Sequence, residues 1–271
     1  MARTTATDAQ TASGTQSVER ALSLLTAFTD EHPERRISEL GSITGLGQST
    51  VSRLVGALEA LGFLAHDDRS GMYRLGPEVV SLAGVALNQS PVFRQARQVA
   101  QNLAHDLDLG ANVAELRDGQ LFYLCHFEGR QAPRTYTLMG RTGPLHATAL
   151  GKALLFGHSD DEVEELIGRK YPAYTPHTVN DIRGLLGALG ESRQRGYSTE
   201  LEELAFGRAC LAAPIRDRTG RVVAALSASG PLSVINLPAE QQALSRKVIE
   251  HADEISTALG YHAAISIAVS P

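Results

Sequence analysis

The sequence predicts a mixed fold. A small, helix-rich N-terminal domain ends in a β-hairpin, a linker helix follows, and a larger α+β domain forms around an antiparallel sheet. Three observations carry this. The chain has 271 residues, enough for one large domain or two ordinary ones at ~100–200 residues each. Between about Gln16 and Gly76, short amphipathic segments are broken by Pro and Gly. From about Ser90 onward, strand-like and helix-like patterns alternate, and hairpin signals such as Asp118-Gly119 and Thr219-Gly220 join neighbouring strands. Strands mixed with helices, hairpins included, indicate α+β architecture. Hydrophobic residues make up 43% and charged residues 20%, the balance of an ordinary soluble domain with disorder confined to the ends.

Residues 1–16 are rich in Thr, Ala and Gln and lack the apolar stretch of a secretory signal, so they read as a mobile tail. Val18, Ala21, Leu22, Leu25 and Phe28 then recur at helical spacing, with Ser17 as a plausible N-cap. Pro33 and its charged neighbours read as a loop. Ile37–Thr44 is a second short helix, Gly45-Leu46-Gly47 a tight turn, and Gln48–Leu61 a third helix with Val51, Leu54, Val55, Leu58 and Leu61 on one face. Gly62 stops that helix. Phe63–His66 and Met72–Leu75 form a hairpin around a polar tip. Helix, helix, turn, helix, hairpin is the layout of a winged helix-turn-helix, placing that domain at residues 17–76.

The outward N-terminal face of the third helix offers Gln48, Ser49, Thr50, Ser52 and Arg53. Small hydrogen-bonding side chains and one Arg suit base edges in a major groove, and a helix N-terminus points N–H groups at a phosphate. The same face also reads as ordinary solvated surface. Charge does not decide between them: residues 1–76 carry seven Arg and no Lys against nine Asp and Glu, a net of −2. The whole chain carries −5, so any nucleic-acid binding comes from a local patch.

The motifs Ser17-Val18-Glu19-Arg20-Ala21-Leu22, Leu46–Leu54, Leu61-Gly62-Phe63-Leu64 and Tyr73-Arg74-Leu75-Gly76 resemble the N-terminal domain of IclR-family transcriptional regulators. The resemblance continues to about residue 262. It implies that the third helix reads an operator, with Gln48, Ser49, Thr50, Ser52 and Arg53 toward the DNA and Arg20 and Arg74 helping to hold the backbone. Phosphate contacts set register, and base contacts set sequence choice. With so few cations per domain, tight binding calls for more than one domain on the DNA, which favours a dimer on a palindrome-like operator. By resemblance a dimer of dimers is expected, and repression rather than activation.

Residues 77–89 form the linker helix, apolar on more than one face, which reads either as a core helix or as one that pairs with a partner chain; the latter is favoured. The second domain, residues 90–271, begins with an amphipathic helix over Pro91–Leu109. Strands follow at Ala111–Arg117, Leu121–Phe127 and Arg134–Met139, and helices at His146–Gly157, Asp160–Ile167 and Asp181–Gly196. Strands at Cys210–Ile215 and Val222–Ser229 and a closing helix at Pro238–His262 complete it. The segments Pro144–Ala153, Gly196-Tyr197, Cys210–Pro214 and Ala225–Pro231 resemble the family's effector-binding module, which is similar to GAF domains. By position the resemblance puts a pocket at Ala149, Leu150, Glu200, Arg208, Cys210, Ser227 and Ser229.

The chemistry is coherent with that. Ser227 and Ser229 are two apart on one strand and face the same side, where they can donate to a carboxylate, and the start of the Ala149 helix adds N–H donors. Taken alone, the two serines also read as a solvated strand face. Relatives usually carry Asp where Glu200 stands, and Arg next to the Cys where this chain has Arg208-Ala209-Cys210. An inward Arg208 would clamp a carboxylate; an outward one would be structural. Tyr136 and Met139 are further candidates for the wall and would admit an aromatic effector. The effector expected is an organic acid.

Other function classes fare worse. Two cysteines, Cys125 and Cys210, exclude a disulfide framework and Cys-rich metal motifs, and a reducing cytoplasm is expected. Cys210 and His146 as nucleophile and base lack any supporting spacing, and a Cys in an apolar strand is usually a small buried hydrophobe. No catalytic, metal or cofactor site is expected. Gly140-Arg141-Thr142-Gly143 lacks the Lys and context of a phosphate loop. No apolar stretch approaches the ~20 residues that span a bilayer, so no membrane partner is expected. A ligand-sensing scaffold without DNA binding remains the alternative, and salt-dependent DNA affinity separates the two.

Overall fold

A computed structural model of the chain describes residues 6–130 and 137–262. The chain divides into two compact units, Met1–Ala86 and Leu87–Pro271.

The first unit contains α1 (Ala6–Leu25), β1 (Glu34–Arg35), α2 (Ile37–Thr44), α3 (Gln48–Ala60), β2 (Leu64–Asp67) and β3 (Met72–Leu75). Leu24 of α1, Leu40 of α2, Val51 and Val55 of α3 and Leu64 of β2 lie in its core. The buried residues of α3 are Val51, Leu54, Val55 and Leu58, the i, i+3, i+4, i+7 stripe that drives an amphipathic helix onto a core. Gly45 ends α2 in the left-handed region at φ 69, where residues with a Cβ are strained. Gly76 lies so close to the Gly62 carbonyl that a Cβ there would overlap it.

Two expectations need correction here. Ser17 is not an N-cap, and the segment read as a tail is helical from Ala6; residues 1–5 lie outside the described residues. Extending a helix already held by packing costs far less than nucleating one, and Ala6–Gln16 contains no Pro to stop it. The loop around Pro33 also contributes a strand. β1 pairs antiparallel with β3, with Glu34 opposite Arg74 and Arg35 opposite Tyr73, so the sheet has three strands in the order β1-β3-β2.

Helix α4 (Pro77–Gln89) bridges the division between the units and buries none of its residues.

The second unit is built on a six-stranded sheet in the order β6-β5-β4-β9-β8-β7, antiparallel throughout. Its strands are β4 (Gly110–Arg117), β5 (Gln120–Phe127), β6 (Thr142–Gly143), β7 (Ser198–Leu201), β8 (Arg208–Arg216) and β9 (Val222–Pro231). On one face lie α5 (Pro91–Leu107) and α9 (Leu237–Ala258), sealed over Val113, Leu211, Leu226 and Ala228. The other face carries α6 (Ala149–Leu154), a 3-10 turn at Leu155–Gly157, α7 (Asp160–Ile167) and α8 (Ile182–Arg195), over Ala114, Ala212 and Ala225. Strand alternation sorts the two sets: Ala213 and Ala212 are neighbours in β8 and belong to opposite cores.

Departures from the expected elements are local. Residues 137–139 form no strand, and 134–136 lie outside the described residues. The helix expected from His146 starts at Ala149, because Thr148 caps it by accepting the Gly151 N–H at 2.9 Å. β6 and β7, two and four residues long, have no counterpart among the expected strands; segments this short show no alternation to read.

Candidate functional site

On the first unit, Gly47 stands at the N-cap of α3 and supplies no side-chain cap. The first-turn N–H groups of a helix lack intrahelical partners. Gln48, Ser49, Ser52 and Arg53 are exposed and Thr50 is half-buried, opposite the buried stripe of the helix. Arg74 is exposed on β3 and Arg20 half-buried on α1. The fold adds cations that sequence reasoning missed. β1 brings Arg35 beside β3, Arg36 Nη1 lies 3.7 Å from where a Cβ on Gly71 would sit, and Arg69 is exposed in the hairpin loop, which Asp67 shapes by accepting from Arg69 N–H and Ser70 Oγ. The only hint in the sequence was the Arg35-Arg36 pair. Its proximity to the hairpin depends on β1, which had no visible pattern.

On the second unit, one recess of the sheet face beneath α6 gathers most of the pocket residues. It measures about 570 Å³ counted to its open mouth and is lined by Ala149, Leu150, Glu200, Arg208, Cys210, Ser227 and Ser229, together with Asn112, Tyr123, Leu138, Thr148, Leu204 and Ala205. Ser227 and Ser229 are buried, at 0% and 6% exposure, so the solvated-face reading of these serines fails. Arg208 shares the pocket face of β8 with Cys210, two residues on, and stands exposed at the rim. Met139 is exposed and does not line the recess; its neighbour Leu138 does. Tyr136 lies outside the described residues.

The polar groups are held from behind. Glu200 Oε1 accepts the N–H groups of Glu203 at 2.7 Å and Leu204 at 3.2 Å. Burial pushes the Glu200 carboxyl above the usual range, and those N–H groups pull it back in part. Asn112 Nδ2 donates to Ser227 Oγ and Ser229 Oγ at 3.4 and 3.2 Å. Burial also pushes the Tyr123 hydroxyl and the Cys210 thiol up to about 12. Cys210 is therefore a neutral thiol, unlike the thiolate a nucleophile requires.

The segment Glu202–Gly207 closes one side. Lys152, buried on α6, meets Glu203 at 2.6 Å. Thr175 and Thr178 donate to the carbonyls of Glu202 and Glu203, each at 2.6 Å. Glu202 sits at φ 56 and accepts the Gly207 N–H at 2.7 Å. Gly151 lies so close to the Leu145 backbone that no Cβ fits, which packs α6 against the segment that leads into it.

The suggested Cys210–His146 pair is not assembled. His146 lines a separate groove and its Nε2 faces the Pro172 carbonyl at 3.1 Å. Among the described residues no group of His, Cys, Asp and Glu could hold a metal ion, and no helix is long and apolar enough to cross a membrane.

Comparison with known proteins agrees with both units. Residues 17–68 match the IclR helix-turn-helix domain, and residues 84–257 match the bacterial transcriptional regulator IclR C-terminal domain. The chain is 31% identical over 249 residues to the HTH-type transcriptional regulator XynR of Escherichia coli K12, covering 92% of this chain and 98% of that one. A solved structure of a transcriptional regulator from Rhodococcus sp. RHA1 superposes with a TM-score of 0.82 at 26% identity, over 90% of this chain and 98% of that one. An IclR homologue from Microbacterium hydrocarbonoxydans, solved with 4-hydroxybenzoate, superposes with a TM-score of 0.77 at 26% identity, with the same coverage. The helix-turn-helix and the sheet that carries the recess under α6 are thus both matched, and the chain belongs to the IclR family of bacterial transcriptional regulators.

Proposed function

We propose that this chain is a cytoplasmic repressor that binds an operator through α3 and releases or tightens on it when a small organic acid enters the recess of the second unit. The observation that carries the reading is the convergence of Asn112, Arg208, Ser227 and Ser229 on one recess walled by Leu138, Leu150 and Leu204. Donors set in an apolar wall recognise a compact anion. The 4-hydroxybenzoate bound by the Microbacterium relative supports a carboxylic acid, and Tyr123 in the wall suits an aromatic one.

On the DNA side, Gln48, Ser49, Thr50, Ser52 and Arg53 read bases, while Arg20 and Arg74 contact phosphates, joined by Arg35, Arg36 and Arg69 at the hairpin. The working unit is at least a dimer. Val80, Leu82 and Val85 of α4 are 73%, 52% and 55% exposed, spread over more than one face of the helix, and exposed apolar surface of this kind is stable in water when a second copy covers it. Effector control follows when the acid binds two arrangements of the subunits with different affinity.

Fluorescence anisotropy tests this, using the DNA upstream of the protein's own gene at two salt concentrations, with a panel of aliphatic and aromatic acids. Salt-sensitive binding altered by one acid is the expected result. Replacing Ser227 and Ser229 with Ala should weaken that response and leave operator affinity intact. Loss of operator binding with acid binding unchanged would overturn the assignment of the recess. No DNA binding even at low salt would leave the scaffold reading in its place.

A further inference from the structure

The recess is polar on its sheet side because of a row of side chains that runs beyond it. Across the sheet, Asn112 on β4 is the register partner of Ser227 on β9 and of His126 on β5. Tyr123 and His126 are an odd number of residues apart, and strict alternation would place them on opposite faces. The β4–β5 register shifts between Val113 and Ala114. Leu124 and Cys125 both join the opposite core, as an extra residue in a bulge allows. Tyr123 lines the recess, and His126 stands behind Asn112.

His126 Nδ1 lies 2.7 Å from Asn112 Oδ1, and its Nε2 lies 3.4 Å from Glu128 Oε1. The shorter contact requires a proton on Nδ1, because the amide oxygen only accepts. The Asn112 carbonyl is thereby turned away from the recess and its two N–H bonds toward it, one for each serine oxygen. A hydroxyl that accepts from Asn112 directs its own proton elsewhere. For Ser227 the protein offers Cys210 sulfur, a weak acceptor that an anion readily displaces. With the amide reversed, both serines would donate to Asn112 and present lone pairs to the ligand.

We propose that Asn112, oriented by His126, is the residue that makes this recess select a carboxylate over a neutral amide of the same shape. The inference rests on the organic-acid reading above. His126 acts as a positioning residue, and it does not line the recess.

Two measurements on the full chain test it. Labelling histidine ring nitrogens with 15N and assigning His126 by the loss of its signals in His126→Phe reads which nitrogen carries the proton, with no ligand needed. A proton on Nδ1 is expected; a proton on Nε2 alone overturns the proposal. Calorimetry with benzoate against benzamide, and propanoate against propanamide, reads the preference. In Asn112→Asp the acid-to-amide affinity ratio should fall by roughly tenfold or more, the worth of one hydrogen bond to a charged group, and the amide should bind at least as well as before. His126→Phe should lower the ratio, and His126→Gln, which restores an N–H donor, should recover part of it. Equal weakening of acid and amide in these variants would mean a purely structural role and would overturn the proposal. If neither acid binds the unaltered chain, the organic-acid reading loses support, and the ring-nitrogen signature still decides the Asn112 orientation.

Discussion

Lys152→Met probes the segment that closes the recess. The Lys152 ammonium and the Glu203 carboxylate are 3% and 13% exposed and 2.6 Å apart, so solvent screening discounts the pair little. Removing one partner of a buried pair costs ~3–5 kcal/mol, because the remaining charge is left in low dielectric without compensation. Glu203 is poorly placed to absorb the loss, since its Oε2 is buried without a hydrogen-bond partner. For a domain of this size each kcal/mol moves Tm by ~2–4 °C, so a fall of roughly 6–20 °C is expected. Met keeps the length of the lysine stem, which confines the effect to charge. The control is Lys152→Met with Glu203→Leu: the double variant should regain most of the loss, because the orphaned carboxylate is gone and the Glu203 carbonyl still accepts from Thr178. Urea denaturation of the parent, the two single variants Lys152→Met and Glu203→Leu, and the double variant gives the coupling energy. A single variant within ~1 kcal/mol of the parent, the range of an exposed pair, would refute the reasoning, as would a double variant no more stable than Lys152→Met.

Glu200 gives a pH prediction. Burial raises its folded-state carboxyl above the unfolded value, so folding favours the protonated form. The stability it contributes is present below the ordinary carboxylate range and lost as pH rises through the raised value. Glu200→Gln cannot ionise, and its amide oxygen still accepts the N–H groups of Glu203 and Leu204. It should therefore match the parent near about pH 4 and exceed it near about pH 7 in chemical denaturation; a difference that does not change with pH sinks the account. On the DNA side, Arg53→Ala should weaken operator binding by ~1–3 kcal/mol and relax preference at one base position, read by anisotropy against single-base operator variants. Uniform weakening across all of them would reassign Arg53 to the phosphate backbone.

The helices were legible because burial writes a period into them. Val51, Leu54, Val55 and Leu58 mark the inner face of α3 in the sequence as plainly as in the structure, while Leu61, read on the same face, caps the end of the helix and is 67% exposed. β8 and β9 were legible as well, as was the pairing of Ser227 and Ser229 on one face. What the sequence concealed depends on partners far along the chain. β1 is two charged residues that become a strand only when β3 lies beside them. β7 is four residues long, so Glu200 was placed by resemblance alone, with no element to carry it. Arg208 reads equally well inward or outward because its direction is set by its parity with Cys210, and the strand legible in the sequence begins at Cys210, two residues after β8 does.

Asn112 shows the limit most clearly. In Gly110–Ala114 it is the one polar side chain in a run that is otherwise glycine and apolar, a signal that it is either paired or functional, since a buried amide without partners is costly. Its partners lie 14, 115 and 117 residues away, and no local period links them. The same bulge that breaks the alternation of β5 brings His126 onto the pocket face. A defect in the pattern from which strands are read is thus the feature that completes the polar wall. For this fold, one polar residue inside an apolar strand, together with a register that fails to alternate, is a better guide to the specificity of the recess than any motif of consecutive residues.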